Sequence, residues 1–383
     1  MPFLKALILA GLLAVASAAA PAWATRDAIA QPASTAARDS LSATEFGALV
    51  QRLSAPGGYF DTDNLISNEG SYLHPLTLFD RLGVRGGAFI GVGPDQSFSY
   101  MARVRPRIGF IVDIRRDNLL HHLLLKALFE LSSNRAEFLA WWLGKPMPPD
   151  VTRWRERDIE SLVRWADTSS TTAATADAAV RAVRERLSRY GVALSGDDRA
   201  TIERFHRVFI AQGTALRFAS AGRAPRDYYP TLGQLLLERD LAGNRGSYLA
   251  READFQFLKS LQRRNLVIPV VGDLGGPKSL SAIGAELRRR GEQVSVLYTS
   301  NVEDYLIRDG RFAAYAAAVG RLPRDQRSVL VRSWFGGPQS HPAWVQGYYS
   351  TQLVQTLESF AGDAGVESVR TYRDLVRRRY VER

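Results

Sequence analysis

The chain has 383 residues, 46% of them hydrophobic and 10% aromatic, which excludes a disordered or fibrous protein for most of its length. Its net charge of +11 comes almost wholly from arginine, with lysine only at 5, 126, 145, 259 and 278. No basic stripe interleaved with aromatic residues stands out, so nucleic acid is not an expected partner and a small molecule is. There is no cysteine, so neither a structural disulfide nor a lipid-modified cysteine is available.

The opening "MPFLKALILAGLLAVASAAAPAWA" has one lysine, an apolar run over 6–20 and the small-x-small pattern Ala22-Trp23-Ala24. This predicts a secretory signal peptide over 1–24, cut after Ala24, because the run is shorter than the ~20 residues that span a membrane. A periplasmic or secreted protein with no transmembrane anchor after cleavage is the expectation. Residues 25–42, rich in Ala, Ser, Thr and Asp, predict a flexible leader, with one α/β domain over 43–383.

The stretch "DTDNLISNE" at 61–69 gathers Asp61, Asp63, Asn64, Asn68 and Glu69. A calcium loop is excluded because Leu65 and Ile66 stand where oxygen ligands and a glycine are needed, and Tyr72 where a bidentate glutamate belongs. The segment reads as a turn or as a lid over a cofactor mouth.

From Gly87 the pattern becomes strand, turn, helix. Residues 88–90 form an apolar strand that runs into the turn Gly91-Val92-Gly93-Pro94-Asp95-Gln96, and 108–112 form a second strand closed by Asp113. A helix through Leu120, Leu124, Leu128 and Leu131 follows. Prolines at 146, 148 and 149, a low-complexity run at 168–179 and helical spacing at 179–190 and 199–210 predict a helical insertion over 146–262. Alternation resumes with a strand at 266–271 and a helix at 279–290, whose face is Leu280, Ile283 and Leu287 and whose stop is Gly291. A strand at 293–298 and another at 328–334 complete the pattern, with Asn301 as a helix cap and Glu303 and Asp304 in its first turn. Near-continuous apolar strands between helices predict an α/β fold with a doubly wound, mostly parallel sheet of at least five strands. The helical insertion falls between strands two and three.

In such sheets ligands bind beyond the carboxyl ends of the strands. Gly91 and Gly93 allow close backbone approach, and Asp113 stands roughly 20 residues further on, the spacing at which a carboxylate meets ribose hydroxyls. A full G-x-G-x-x-G is absent, since Gln96 takes the last position and Asp95 would repel a pyrophosphate. A cofactor without phosphates is favoured over a dinucleotide.

With an acidic residue also following strand three, at Gly272-Asp273, the chain resembles the class I S-adenosylmethionine-dependent methyltransferases over about 85–120 and 264–335. The resemblance implies a Rossmann-like sheet with strand three at an edge, where Pro269 is tolerable. It implies S-adenosylmethionine as cofactor, held by Gly91 and Gly93, Asp113 and Asp273, with Asp95 at the helix entry. It also implies a catalytic loop at Thr299-Ser300-Asn301, making Asn301 and Tyr305 the candidate catalytic residues. The chain departs from that family in having Phe89 where an acid precedes the first glycine, Asp95 for the third glycine, and "TSNVEDY" for the aromatic catalytic loop. More narrowly, "DNLISNE", "IGVGPDQSFSY", "FIVDIRRDN", "VVGDLGG" and "YTSNVEDYL" resemble the signature blocks of a bacterial family of uncharacterised exported proteins with this fold.

His121-His122 lacks the i, i+4 spacing of a zinc pair, and no metal is expected. His74 and His341 read as loop or structural residues, and no serine sits in a G-x-S-x-G elbow. Two readings stay open. One is methyl transfer to a small molecule or envelope component. The other is a non-catalytic exported ligand-binding or scaffold protein on the same fold.

Overall fold

The computed structural model describes residues 39–62, 64–220 and 222–382. The expected signal peptide, residues 25–38 of the expected leader, and Asp63 lie outside the described residues. The end of that leader belongs to the fold. Leu41 is buried and its N–H donates to the carbonyl of Arg264 at 2.9 Å. The Ser42 hydroxyl accepts the Glu45 N–H, and the Glu45 carboxylate accepts the Ser42 N–H, a reciprocal cap that starts helix α1, Ala43–Leu53.

Helix α2 is Pro75–Arg81, and the sheet begins with β1, Ala88–Gly91, followed by α3, Gln96–Val104. Next come β2, Ile108–Asp113, and α4, Arg116–Leu131. The remaining strands are β3, Val267–Val271; β4, Val294–Ser300; β5, Arg324–Trp334; and β6, Thr351–Thr356. They lie in the order β3-β2-β1-β4-β5-β6, with the first five parallel and β6 antiparallel to β5. The chain steps outward from β1 to β3 and then returns past β1 to β4, so the winding reverses between β1 and β4. Residues of β1 and β3 are buried along their whole length, as sheets covered on both faces require. Helices α3, α4 and Glu252–Arg263 pack together as one group, and α1, Ser279–Arg290 and Phe312–Gly320 as another. Pro269 sits on the edge strand opposite Ile111.

Between α4 and β3 the chain forms further helices, among them Ile159–Thr168, Ala173–Leu187 and Gly196–Gln212. The low-complexity run is part of this, since Thr172 caps the helix that starts at Ala173. Aromatic rings join this region to the helices that cover the sheet, Phe129 of α4 tilted against Phe138 at 4.7 Å and Phe98 of α3 edge-on to Tyr248 at 5.5 Å. Among the described residues no helix is long and apolar enough to cross a membrane.

One expectation near β4 is corrected. Asn301 holds the N-cap position of the helix Val302–Arg308, but its side chain makes no capping bond. Glu303 and Asp304 do lie in the first turn of that helix, as expected. Glu303 is wholly buried and paired with Arg332 of β5, whose Nε donates to Oε2 at 2.6 Å.

Candidate functional site

A cavity of about 360 Å³ opens where the carboxyl ends of β1 to β4 meet, across the point at which the winding reverses. Its size falls within the ~300–1,000 Å³ of small-molecule sites. The sheet supplies Gly93, Asp113, Asp273, Asn301 and Tyr305, so five of the seven residues expected from sequence face one volume.

Gly93 holds a φ of 79°, a left-handed conformation that glycine adopts without strain. Its carbonyl is clamped by two side chains of α4: Asn118 Nδ2 donates at 3.0 Å and His122 Nε2 at 2.9 Å. A carbonyl can only accept, so the His122 proton is on Nε2. Burial lowers the His122 pKa to about 4, which keeps the ring neutral.

Gly91 and Asp95 do not line the cavity. A Cβ on Gly91 would stand 2.5 Å from the Phe89 ring and 3.1 Å from Ser97 Oγ, so this glycine lets strand and helix pack closely. Asp95 is buried behind the turn. Burial pushes its carboxyl up to about 6, with the Tyr248 hydroxyl working against the shift.

Asp113 is already engaged. The Arg115 backbone N–H and Nε donate to its Oδ1 at 2.9 and 3.1 Å, and Arg115 Nη2 donates to Oδ2 at 2.9 Å. Asp273 accepts the N–H of Gly275 at 2.8 Å and a bond from Arg311.

The described residues of 54–69 form a strap along the cavity, with residues 59–62, 64 and 67–69 among its lining. The Ala55 N–H donates to Val271 O at 2.8 Å and the Gly58 N–H to Ile114 O at 2.7 Å, while Arg115 reaches Thr62 O. Phe60 meets Tyr305 edge-on at 5.1 Å. On the insertion side Arg223 pairs with Asp61, and the Thr62 hydroxyl donates to Ala219 O at 2.6 Å.

Glu69, at the far end of the strap, was named from sequence only as part of a turn or lid and not among the candidate site residues. It lines the cavity and is 1% exposed. The Tyr298 hydroxyl and Gln352 Nε2 each donate to its Oε2 at 2.8 Å, and Ser300 Oγ donates to Oε1. Burial raises its pKa, with the hydroxyl and amide donors working against that rise. Gln96 Nε2 extends the network by donating to the Tyr298 hydroxyl at 2.9 Å. Ser300 holds a φ of 52°, a costly backbone for a residue with a Cβ.

A second, open groove of about 780 Å³ adjoins the cavity and shares Asn68 and Tyr229 with it. Its walls include Tyr228 and Tyr349, stacked at 4.1 Å, and the carboxylates of Asp167, Asp227 and Glu238. His121 stacks on Phe209 in the core, His74 packs edge-on against Tyr348, and His341 Nε2 meets Val376 O at 3.1 Å, all structural placements. Among the described residues no three His, Asp or Glu gather as a metal site would need.

Compared with curated proteins, the chain has no match. A family model does match, over residues 65–199 and 223–382, a span that includes Glu69, the glycine turn, Asp113, Asp273 and Asn301. The chain therefore belongs to the family described as a domain of unknown function (DUF7790).

Proposed function

We propose that the cavity binds S-adenosylmethionine or a related nucleoside, and that the protein passes a methyl group to a small molecule or an envelope component outside the cytoplasm. The observation that carries this reading is the convergence of Gly93, Asp113, Asp273 and the Ser300-Asn301 turn on one cavity at the β1/β4 reversal. That is where doubly wound sheets take their ligands, and these are the motif ends on which the methyltransferase-like resemblance rests.

The donor set also suits such a ligand. The carboxylates of Glu69, Asp113 and Asp273 line the cavity, Gly93 leaves room for close approach, and Gln96 Oε1 is a buried acceptor with no partner among the described residues. Asp113 and Asp273 would accept hydrogen bonds from hydroxyl and amine groups, and Glu69 would face positive charge. S-adenosylmethionine, when bound, supplies an electrophilic methyl group whose departure leaves a neutral thioether. The chain's own contribution would be alignment, with the strap excluding water and Asn301 and Tyr305 orienting the acceptor. The groove behind Asn68 and Tyr229 is the approach for that acceptor, and its tyrosines and carboxylates suit a polar molecule with a flat or apolar face.

Calorimetry of the purified chain with S-adenosylmethionine and S-adenosylhomocysteine tests the reading. Binding in the micromolar range, weakened at least about tenfold by Asp273→Ala, is expected, since a lost hydrogen bond to a charged group is worth roughly 1.5–3 kcal/mol. No heat at millimolar ligand would overturn it. Cell fractionation tests the export.

One observation favours a second reading, a binding protein without turnover. Arg115 and Arg311 already occupy part of the capacity of Asp113 and Asp273. Tight binding with no methyl transfer to any extract of the cell envelope would decide for it.

A further inference from the structure

Each charged side chain around the cavity has an opposite charge beside it, with a single exception among the described residues. Arg115 pairs with Asp113, Arg223 with Asp61, and Arg311 with both Asp273 and Asp309. Glu69 has no arginine, lysine or histidine against it among the described residues. Its oxygens are held by the neutral donors Tyr298, Ser300 and Gln352. A buried carboxylate is costly unless paired, and neutral hydrogen bonds offset only part of that cost. The cost is borne at a wall of the cavity, where a ligand can reach it.

A second acceptor lies beside it. Gln96 is 6% exposed, donates through Nε2 to the same Tyr298 hydroxyl that donates to Glu69, and lines the same cavity. Its Oε1 is buried without a partner among the described residues. The two acceptors are thus joined through one tyrosine: Glu69 is held by neutral donors with no positive charge against it, and Gln96 Oε1 has no hydrogen-bond partner among the described residues.

We infer that Glu69, supported by Gln96, is the counter-ion for a cationic centre of the ligand, so that the cavity selects a sulfonium or ammonium compound over its neutral analogue. The inference rests on the nucleoside reading above and deepens it by naming the charge that the ligand must bring. Tyr298, Ser300 and Gln352 are positioning residues that hold the carboxylate in place. Ser300 reaches it from a left-handed backbone, which ties the end of β4 to this one function.

The test is calorimetry of the full chain with four probes: S-adenosylmethionine, S-adenosylhomocysteine, 5′-methylthioadenosine and trimethylsulfonium. The wild-type chain is expected to bind S-adenosylmethionine about 10- to 100-fold more tightly than the neutral thioethers, the range a charged hydrogen-bonded contact supplies. Glu69→Gln should reduce that preference to within about threefold while leaving affinity for the neutral thioethers in place. Gln96→Leu keeps the volume and leaves Glu69 intact, so it serves if the first variant fails to fold. It should weaken the sulfonium compound more than the thioethers. Equal affinities in the wild-type chain, or an undiminished preference in a folded variant, overturn the inference and leave the nucleoside reading standing. If no nucleoside binds but trimethylsulfonium does, and Glu69→Gln abolishes it, the nucleoside reading falls and the counter-ion stands. Heat from none of the four overturns both.

Discussion

Arg115 and Asp113 form a closed pair at the end of β2, and the same guanidinium reaches the backbone oxygen of Thr62, 53 residues earlier in the chain. One side chain therefore organises the Asp113 carboxylate and fastens the segment that carries Thr62. Arg115→Ala should cost about 3 kcal/mol, because it leaves a mostly buried carboxylate unpaired. It should also speed protease cleavage within residues 58–62. Urea denaturation and limited proteolysis measure the two effects, and an unchanged cleavage rate would separate the strap from Arg115.

The Glu303–Arg332 pair, with side chains 0% and 1% exposed, is the most deeply buried ion pair described. Arg332 also donates to Gln355 Oε1 at 2.7 Å, linking β5 to β6. Glu303→Ala should destabilise by about 3–5 kcal/mol, and adding Arg332→Met should recover a large part of that loss, because the charge left alone is the costly species. A double-mutant cycle in urea reads the coupling. Additive losses would mean that the pair acts only through packing.

Acid should weaken the fold through its histidines. Burial lowers His122 and His206 to about 4, from 6.5 in the unfolded chain. The unfolded state binds more protons between pH 6.5 and 4, so stability falls as pH drops through that window, by roughly 3 kcal/mol per histidine. Asp95 acts in the opposite direction. Its carboxyl is raised from 3.8 to about 6, so the stability it contributes is lost as pH rises across that interval. Asp95→Asn should therefore stabilise by about 2 kcal/mol at pH 7 and hardly at pH 4, and His122→Gln should flatten the acid limb. Thermal melts from pH 4 to 8 provide the comparison. Parallel curves for wild type and variants would refute the assignment.

The two glycines of the turn should separate stability from binding. Gly91→Ala drives a methyl group into the Phe89 ring and should cost about 1–3 kcal/mol, with little change in ligand affinity of the folded protein. Gly93→Ala meets no clash, but its φ of 79° carries a cost of about 1–2 kcal/mol. Its methyl group would stand beside Gln96 and Asn64 at the cavity wall and weaken binding. Melting curves paired with calorimetry on both variants would expose a failure if Gly91→Ala proved the worse binder.

The fold was legible where burial writes itself into local pattern. The helix Ser279–Arg290 is the one its apolar face and Gly291 predict, because a stripe of Leu280, Ile283 and Leu287 has one way to be buried. The ends of β2 and β3 announced Asp113 and Asp273 for the same reason: a polar residue closing an apolar run marks the edge of the core. Glu69 could not be found that way. Its partner Tyr298 is 229 residues distant, and nothing in "SNEGS" distinguishes a buried hub from a solvated turn. Asp95 was misplaced because spacing gives the distance along the chain but not the side of the turn, and here it faces Tyr248 rather than the cavity. The antiparallel β6 went unread since "TQLVQT" has too few apolar residues to stand out, although its Gln352 completes the Glu69 network.

The strap also sets an order of assembly. Residues 54–58 leave the ribosome long before β3, yet Ser54 Oγ accepts the N–H of Val271, 217 residues later, and Ala55 donates to the same residue. The strap is therefore synthesised well before the β3 strand that anchors it. Contacts of such long sequence separation slow folding. A nascent chain arrested before residue 271 carries the strap, Gly93 and Asp113 but lacks Asp273, Tyr298 and Ser300, and with them the far half of the cavity.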